Sequence, residues 1–351
     1  MKKKVNIKNF YGTYSSGAQN LGNEEDFFSD KNFKTFNEEI SLNCKRLKID
    51  SKKLFNKNIM NVGSGREALG FLEFKPKVID HFDISKRNVL NFKKIIRKKK
   101  LRNKIISKQL DLSKDNLPKK KYDLIYLHGI IQHVDHVGKA IKNISNSLKK
   151  NGVVWFYFYR PGSLANFLGS IQRYILKETD IDYFFKQLKK KNYNYKFVDR
   201  LMDDCFVSNR QLFHPKDYLD SLKRLNLVKY GSSLLVNSYQ KINFYKFHSS
   251  VIFFLKKTSD KKFKTNFADL LKPEDQINDL DIKLYKKNKQ VCNILNIFFN
   301  KELNKDNIFK KIVLIEKLKT KVKKDFFIKK KLSKPYVKTI LENLELIIKK
   351  K

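Results

Sequence analysis

Residues 58–86, NIMNVGSGREALGFLEFKPKVIDHFDISK, decide the fold. A short apolar run, Ile59 to Val62, ends in Gly63-Ser64-Gly65, and a second apolar run at Val78-Ile79 ends in Phe82-Asp83. This order predicts a strand, a glycine turn, a helix and a second strand followed by a carboxylate, which is a βαβ unit. In such a unit the glycines let backbone amides approach a ligand, and the acid accepts hydrogen bonds from a ribose diol. The segment predicts a nucleoside-containing cofactor at the carboxyl edge of a parallel sheet, although an ordinary strand-to-helix turn can have the same pattern.

Composition limits the class of protein. The chain has 351 residues, of which 41% are hydrophobic, with 29 Phe and 16 Tyr, so it can bury a core and is not wholly disordered. The longest aromatic-apolar stretch, Val153 to Tyr159, is too short to cross a bilayer, and the N-terminal sequence MKKKVNIKNF has no apolar signal region. We therefore expect a soluble cytoplasmic protein with no membrane span.

Neither the three cysteines nor the net charge points to a particular class of protein. Cys44, Cys205 and Cys292 are widely separated, which predicts neither a disulfide framework nor a metal site. A net charge of +42 would suit a nucleic acid partner. However, residues 259–351 hold 25 basic and 12 acidic residues, a density similar to that of the rest of the chain, whereas a nucleic-acid tail concentrates its charge. A nucleic acid partner is therefore not favoured.

The rest of the chain continues the alternation of strands and helices. The predicted elements are a helix over 86–100, strands over 103–109 and 122–127, a helix over 138–149 and a strand over 153–159. This alternation predicts an α/β fold with a doubly wound, mostly parallel sheet.

Three regions lie outside this pattern. Residues 163–212 are predicted to be a largely helical insertion, which could cover a substrate. A helix over 215–225 and strands over 227–236 and 250–255 follow, and the strands are predicted to form an antiparallel hairpin at the sheet edge. The predicted domains are a leader or lid over 1–54, a core over 55–258 that contains the insertion, and a Lys-rich helical extension over 259–351.

The chain resembles a class I S-adenosylmethionine-dependent methyltransferase over roughly residues 55–258. The resemblance rests on five features in the expected order, and the final hairpin fits the antiparallel seventh strand of that family. The five features are VGSGREA (62–68), HFDIS (81–85), QLDL (109–112), YDLIYLHGIIQHV (122–134) and the helix running into LKKNGVVWFYFY (148–159).

The resemblance implies a seven-stranded Rossmann-like sheet and S-adenosylmethionine as the cofactor. The implied cofactor residues are Asn61, Gly63, Ser64 and Gly65 at the methionine end, Asp83 and Ile84 at the ribose, Asp111 and Leu112 at the adenine, and His128 and Gly129 beside the sulfonium. Such enzymes work mainly by aligning a nucleophile with an already reactive methyl group.

Two residues depart from the family pattern. Asn61 stands where an acid is usual, so it supplies no charge to balance the cofactor's ammonium group. Glu67 stands where a third glycine is usual and adds a bulky side chain.

Candidate catalytic and substrate residues follow the strands. His133 is placed to act as a general base or a substrate contact, because a histidine titrates near neutrality, but it could equally pack under the next helix. The candidate substrate contacts are Tyr11 and Tyr14 in the leader, Arg160 after the fifth predicted strand, and His214 where the insertion rejoins the core.

The predicted function is methyl transfer to an oxygen or nitrogen nucleophile of a small molecule, such as a sugar or another metabolite. Residues 128–131, HGII, differ from the Asn-Pro-Pro-Tyr type of sequence found in base methylators. Three alternatives stay open at this point: an RNA methyltransferase that uses the basic surface, a nicotinamide dehydrogenase, and a catalytically degenerate fold that serves as an interaction module.

Overall fold

The computed structural model describes residues 7–14, 28–46, 49–159, 163–176, 179–207, 222–223, 226–232, 250–259, 289–300, 307–329 and 332–349. Within these residues, seven strands form one sheet in the order β3-β2-β1-β4-β5-β7-β6. The strands are β1 (Asn58–Val62), β2 (Val78–Asp83), β3 (Ile105–Gln109), β4 (Tyr122–His128), β5 (Leu148–Tyr159), β6 (Leu227–Ser232) and β7 (Ser250–Lys257).

The strand directions confirm the predicted fold. Strands β1 to β5 pair in parallel, whereas β7 runs antiparallel to both β5 and β6 at the edge. This arrangement differs from the 3-2-1-4-5-6 order typical of dinucleotide-binding folds by the antiparallel β7 between β5 and β6, which counts against a nicotinamide dehydrogenase. The order reverses between β1 and β4, and open α/β sheets bind ligands at such a switch point.

The described helices lie between and after the strands. They are α1 (Ile7–Thr13), α2 (Asp30–Arg46), α3 (Ser51–Phe55), α4 (Arg66–Gly70), α5 (Lys86–Lys98), α6 (Val137–Ser147), α7 (Leu164–Ile175), α8 (Ile181–Lys190), α9 (Tyr195–Phe206), α10 (Lys289–Asn300), α11 (Ile308–Lys329) and α12 (Lys334–Lys349). Short 3₁₀ turns at Phe71–Phe74 and Ile131–His133 complete the core.

Apolar residues cover both faces of the sheet, which is why its central strands are near-continuous apolar runs. On one face, residues of α2 to α5 pack around Phe55, Phe71 and Trp155. On the other face, α6 packs on Ile125 and Phe156. Burial on both faces fixes the register of the strands and therefore the positions of the turns at their carboxyl ends.

A second apolar core joins the insertion to the C-terminal extension. Helices α7 to α9 share one buried cluster with α10 to α12, and Phe10 of α1 lies in the same cluster. Buried ionic contacts reinforce this junction: Lys319 Nζ of α11 lies 2.6 Å from Asp204 Oδ2 of α9. The same Nζ lies 2.6 Å from Glu316 Oε2, and Glu316 Oε1 lies 2.6 Å from Arg200 Nε.

The boundary between α6 and β5 differs from the sequence prediction. The predicted helix ends at residue 149 and the predicted strand begins at 153, but β5 already begins at Leu148, which pairs with Tyr122. Leu148 is fully buried, and a buried leucine suits the end of a helix as well as the start of a strand. Its apolar character therefore does not separate the two. A bulge explains the early start: Asn151 has a φ of 66°, and the register shifts before the Leu124–Val153 pair.

Among the described residues, no helix is long and apolar enough to cross a membrane. The same part of the chain contains no group of three His, Cys, Asp or Glu side chains that could hold a metal ion. Cys44 and Cys205 are buried free thiols, and Cys292 is a partly exposed one.

Candidate active site

A cavity of about 380 Å³ lies at the carboxyl ends of β1 to β4. We call it the cleft. Its volume falls within the ~300–1,000 Å³ of small-molecule sites. It is lined by the turns after these strands, by Tyr157 of β5 and by residues of α1 and α9. The described lining residues are Tyr11, Val62, Gly63, Ser64, Arg66, Glu67, Asp83, Ile84, Leu110, Asp111, Leu112, His128, Gly129, Ile130, His133, Val134, Asp135, Tyr157, Asp199 and Asp203.

Glycine is required where the turn after β1 meets the cleft. Gly63 has a φ of 127°, and a Cβ there would approach Ile130 Cδ1 to 3.2 Å. The carbonyl of Gly63 lies 2.6 Å from His81 Nε2, and His81 Nδ1 lies 2.9 Å from Ser107 Oγ. Burial lowers the pKa of His81 to about 4, so the ring is neutral at physiological pH and anchors the turn by hydrogen bonds rather than by charge.

Two of the predicted cofactor residues near this turn do not line the cleft. Gly65 has a φ of 86°, and a Cβ there would lie 2.8 Å from ring carbons of Phe92, so this glycine lets the turn pack on α5. Asn61 is fully buried within β1, and its side-chain amide has no hydrogen-bond partner in the described structure.

Asp83 ends β2 inside the cleft and is almost fully buried. Its Oδ1 accepts a hydrogen bond from the Ser85 backbone N–H (2.7 Å), and its Oδ2 accepts one from Asn88 Nδ2 (3.3 Å). Burial raises the pKa of Asp83 to about 7, although both hydrogen bonds act to lower it. The carboxyl therefore changes charge near neutral pH.

Asp111 lies beside Asp83, because the Leu110 N–H donates to the Asp83 carbonyl at 3.0 Å. The Asp111 Oδ1 accepts hydrogen bonds from Ser113 N–H (3.0 Å) and Oγ (2.7 Å). Its buried Oδ2 has no hydrogen-bond partner in the described structure and lies 3.5 Å from Lys114 Nζ. Burial alone would raise the pKa of Asp111, but Ser113 and Lys114 lower it, so the group is ionised at neutral pH.

Aromatic rings line the part of the cleft that follows β4. The imidazole of His128 stacks on Tyr157 at a centroid distance of 4.0 Å, and its Nδ1 lies 3.1 Å from the Tyr126 hydroxyl. Burial lowers the pKa of His128 to about 4, so it presents a neutral ring. His133 is also buried and lies edge to face with Tyr11 at 6.1 Å.

Residues far apart in sequence close the other side of the cleft. The Tyr11 hydroxyl of α1 donates to Asp203 Oδ1 of α9 at 2.9 Å, and Asp199 of the same helix also lines the cleft. Tyr14, a predicted substrate contact, does not line the cleft: it packs in the second core, and its hydroxyl donates to Asp182 at 2.5 Å. The other two predicted substrate contacts, Arg160 and His214, lie outside the described residues.

The cleft therefore brings together eight of the ten predicted cofactor residues, together with His133 and Tyr11. Sequence reasoning assigned no site role to Arg66, Asp135, Tyr157 or Asp199. It treated Glu67 only as a departure from a pattern. Arg66 and Glu67 could have been assigned to the site, because they directly follow the glycine turn. Asp199 lies on a helix with no motif, so no sequence pattern indicates it.

The cleft also fits a nucleoside ligand by its chemistry. Asp83 and Asp111 offer carboxylate oxygens on one wall, one of which has no hydrogen-bond partner in the described structure. Gly63 and Gly129, with φ of 127° and 71°, place backbone without a Cβ in the lining at two further strand ends. Six of the described lining residues are acidic and one is an arginine, so the cleft favours cationic or neutral groups over phosphates.

Comparison with known proteins agrees with this geometry. Residues 60–156 match the family described as a methyltransferase domain. The chain matches none of the curated proteins with which it was compared. This match and the strand order indicate a methyltransferase domain that includes residues 60–156.

The solved structures that match this chain share little sequence with it. PKMT2 from Rickettsia typhi in complex with AdoHcy is 15% identical, with 60% of this chain and 51% of that chain covered and a TM-score of 0.44. An S-adenosylmethionine dependent methyltransferase from Mesorhizobium loti is 12% identical, with 58% and 92% covered and a TM-score of 0.39. The 4+2 cyclase SpnF is 18% identical, with 34% and 44% covered and a TM-score of 0.30, so this chain spans under half of its length.

Proposed function

We propose that the chain, whose residues 60–156 match a methyltransferase domain, is a class I S-adenosylmethionine-dependent methyltransferase. In this proposal the cleft binds S-adenosylmethionine, and the enzyme methylates an oxygen or nitrogen nucleophile of a small molecule. A sugar or another metabolite is the proposed acceptor class. The observation that carries the proposal is that Asp83, Asp111 and Gly63, from three different strand ends, line one cavity.

The cofactor supplies an activated methyl group, and the protein supplies position. In the proposal, Asp83 holds the ribose hydroxyls, Asp111 and Leu112 border the adenine, and Gly63 with Ser64 borders the methionine end. Neutral His128 supports the proposal, because an uncharged ring beside a sulfonium avoids the repulsion that an imidazolium would cause.

The acceptor is proposed to lie in the part of the cleft that His133 and the Tyr11–Asp203 pair line together. His133 would remove a proton from the attacking group or orient it, and Tyr11 and α9 would exclude water. A small acceptor is supported by the limited volume of the cleft, about 380 Å³. An RNA acceptor is opposed by its acidic lining, because phosphates would be repelled.

The test is methyl transfer from labelled S-adenosylmethionine to a cell extract separated into small-molecule, RNA and protein fractions. We expect label in the small-molecule fraction. Label confined to RNA or protein would overturn the proposed acceptor class. Once an acceptor is identified, His133→Ala should lower kcat by roughly 10²–10⁴-fold without changing AdoHcy affinity.

The matched control is His136→Ala, because His136 is exposed and does not line the cleft. Its turnover should equal that of the native enzyme. Normal turnover by His133→Ala would remove the proposed role of His133.

A further inference from the structure

Two adjacent residues of opposite charge line the cleft directly after the glycine turn. They are Arg66 and Glu67, which open α4. The Arg66 Nη2 donates to Glu67 Oε1 at 3.3 Å, and Ser64 Oγ donates to Glu67 Oε2 at 3.2 Å. The Arg66 side chain is 38% exposed, whereas residue Glu67 is only 9% exposed.

We propose that Arg66 and Glu67 form the subsite for the amino-acid end of the cofactor, with Glu67 holding the ammonium group and Arg66 the carboxylate. This inference rests on the proposed function. An α-amino acid carries one positive and one negative charge a few ångströms apart, and a neighbouring carboxylate and guanidinium complement both charges.

Glu67 is ionised despite its burial. Burial alone would raise its pKa, but the guanidinium of Arg66, a backbone N–H and the Ser64 hydroxyl lower it overall. A buried carboxylate with a guanidinium on one oxygen and a hydroxyl on the other is held in a fixed orientation. It can therefore receive an ammonium group without first being ordered.

Among the described residues of β1 and its turn, the negative charge in the cleft lining comes from Glu67. The residues from β1 and its turn that line the cleft are Val62, Gly63, Ser64, Arg66 and Glu67, of which only Glu67 is acidic. Asn61 is neutral and does not line the cleft. The carboxylates of Asp83 and Asp111 follow β2 and β3, where the nucleoside is proposed to bind.

The test compares three ligands by isothermal titration calorimetry. AdoHcy carries the complete amino acid, and 5′-methylthioadenosine has the same nucleoside thioether without it. An aminopropylthio analogue of adenosine keeps the ammonium group but lacks the carboxylate. Glu67→Gln should weaken AdoHcy and the aminopropyl analogue by roughly 10–100-fold and change methylthioadenosine less than about twofold.

Arg66→Met separates the two roles. It should weaken AdoHcy binding by a similar factor. It should leave the relative affinities of the other two ligands unchanged, because neither carries a carboxylate. Because Arg66 is partly exposed, this variant also keeps the inference testable if Glu67→Gln does not fold. Glu73→Gln is the matched control, since Glu73 is exposed outside the cleft, and it should bind all three ligands as the native protein does.

The outcomes separate the inference from the proposed function. If the native protein binds neither AdoHcy nor methylthioadenosine, the proposed function fails. If it binds both, but Glu67→Gln weakens them equally or leaves AdoHcy unchanged, the inference is overturned and the proposed function stands. Equal effects of Arg66→Met on all three ligands would likewise overturn the assignment of Arg66 to the carboxylate.

Discussion

If Asp83 holds the ribose as proposed, cofactor affinity is expected to depend on pH. Its pKa is raised to about 7 by burial, so roughly one-tenth of the groups are ionised at pH 6 and nine-tenths at pH 8. If the ribose hydroxyls donate to the ionised carboxylate, AdoHcy should bind about tenfold more tightly at pH 8 than at pH 6. His81 and His128 have pKa values near 4 and Asp111 is ionised throughout, so these groups add nothing to the slope in this window.

The same burial of Asp83 also makes the stability of the protein without cofactor depend on pH. The pKa of Asp83 rises from 3.8 to about 7 on folding, so the folded chain holds the proton more tightly than the unfolded chain between these values. The contribution of Asp83 to stability is therefore most favourable below pH 4 and declines as pH rises to 7. Above pH 7 the loss reaches at most about 4 kcal/mol.

Asp83→Asn tests both effects. The variant cannot ionise, and its amide oxygen can still accept from the Ser85 N–H. Asn88 would turn its amide to present an oxygen to the new NH₂ group. We expect a higher Tm than that of the native protein at pH 8 without ligand, a weaker affinity for AdoHcy, and no dependence of that affinity on pH.

The assays are calorimetric titration at pH 6, 7 and 8 and thermal unfolding at the same values. A native affinity that is constant from pH 6 to pH 8 would refute the coupling between Asp83 and the cofactor. A variant that keeps the tenfold slope would show that another group titrates. A lower Tm for Asp83→Asn at pH 8 would refute the argument that the buried charge is unfavourable.

Two further predictions concern stability, measured by urea unfolding. Lys319→Met should lose roughly 3–5 kcal/mol because it removes the buried cation that Asp204 and Glu316 share, although Arg200 still pairs with Glu316. Lys349→Ala, on an exposed pair, should lose less than about 1 kcal/mol. Equal losses would contradict the buried network. Gly65→Ala should lose about 1–2 kcal/mol because of its positive φ, and a further ~1–3 kcal/mol because the new Cβ would meet the Phe92 ring. At Gly129 a Cβ would have no neighbour closer than 3.5 Å, so Gly129→Ala should lose only the contribution from its positive φ. A loss at Gly129 as large as that at Gly65 would refute the role of Phe92.

The part of the site that sequence predicts is the part built from local chemistry. Gly63, Asp83 and Asp111 each follow a short apolar run, and the carboxyl ends of parallel strands meet at one sheet edge. Their positions in the cleft therefore follow from the alternation of strands and helices alone. The start of β5 at Leu148 could not be placed in this way, because a buried leucine fits the end of a helix and the start of a strand equally well.

The proposed acceptor side of the cleft depends on contacts that no local sequence pattern encodes. Tyr11 and Asp203 are 192 residues apart and meet because α1 and α9 both pack into the second core. Tyr14 is one helical turn after Tyr11, yet it faces that core rather than the cleft. A leader with two tyrosines therefore predicts a cover over the cleft but not which tyrosine forms it.

The second core also links the C-terminal extension to the wall of the cleft that contains Asp203. Asp203, in the cleft, is adjacent to Asp204, which pairs with Lys319 of α11. Helix α11 also packs on α7, where Gln172 Nε2 lies 3.3 Å from the Ile312 carbonyl, so α11 holds α9 against the second core. A change in the extension should therefore alter acceptor binding before it alters the nucleoside wall, since Asp83 and Asp111 are held by the turns of the sheet and not by these helices.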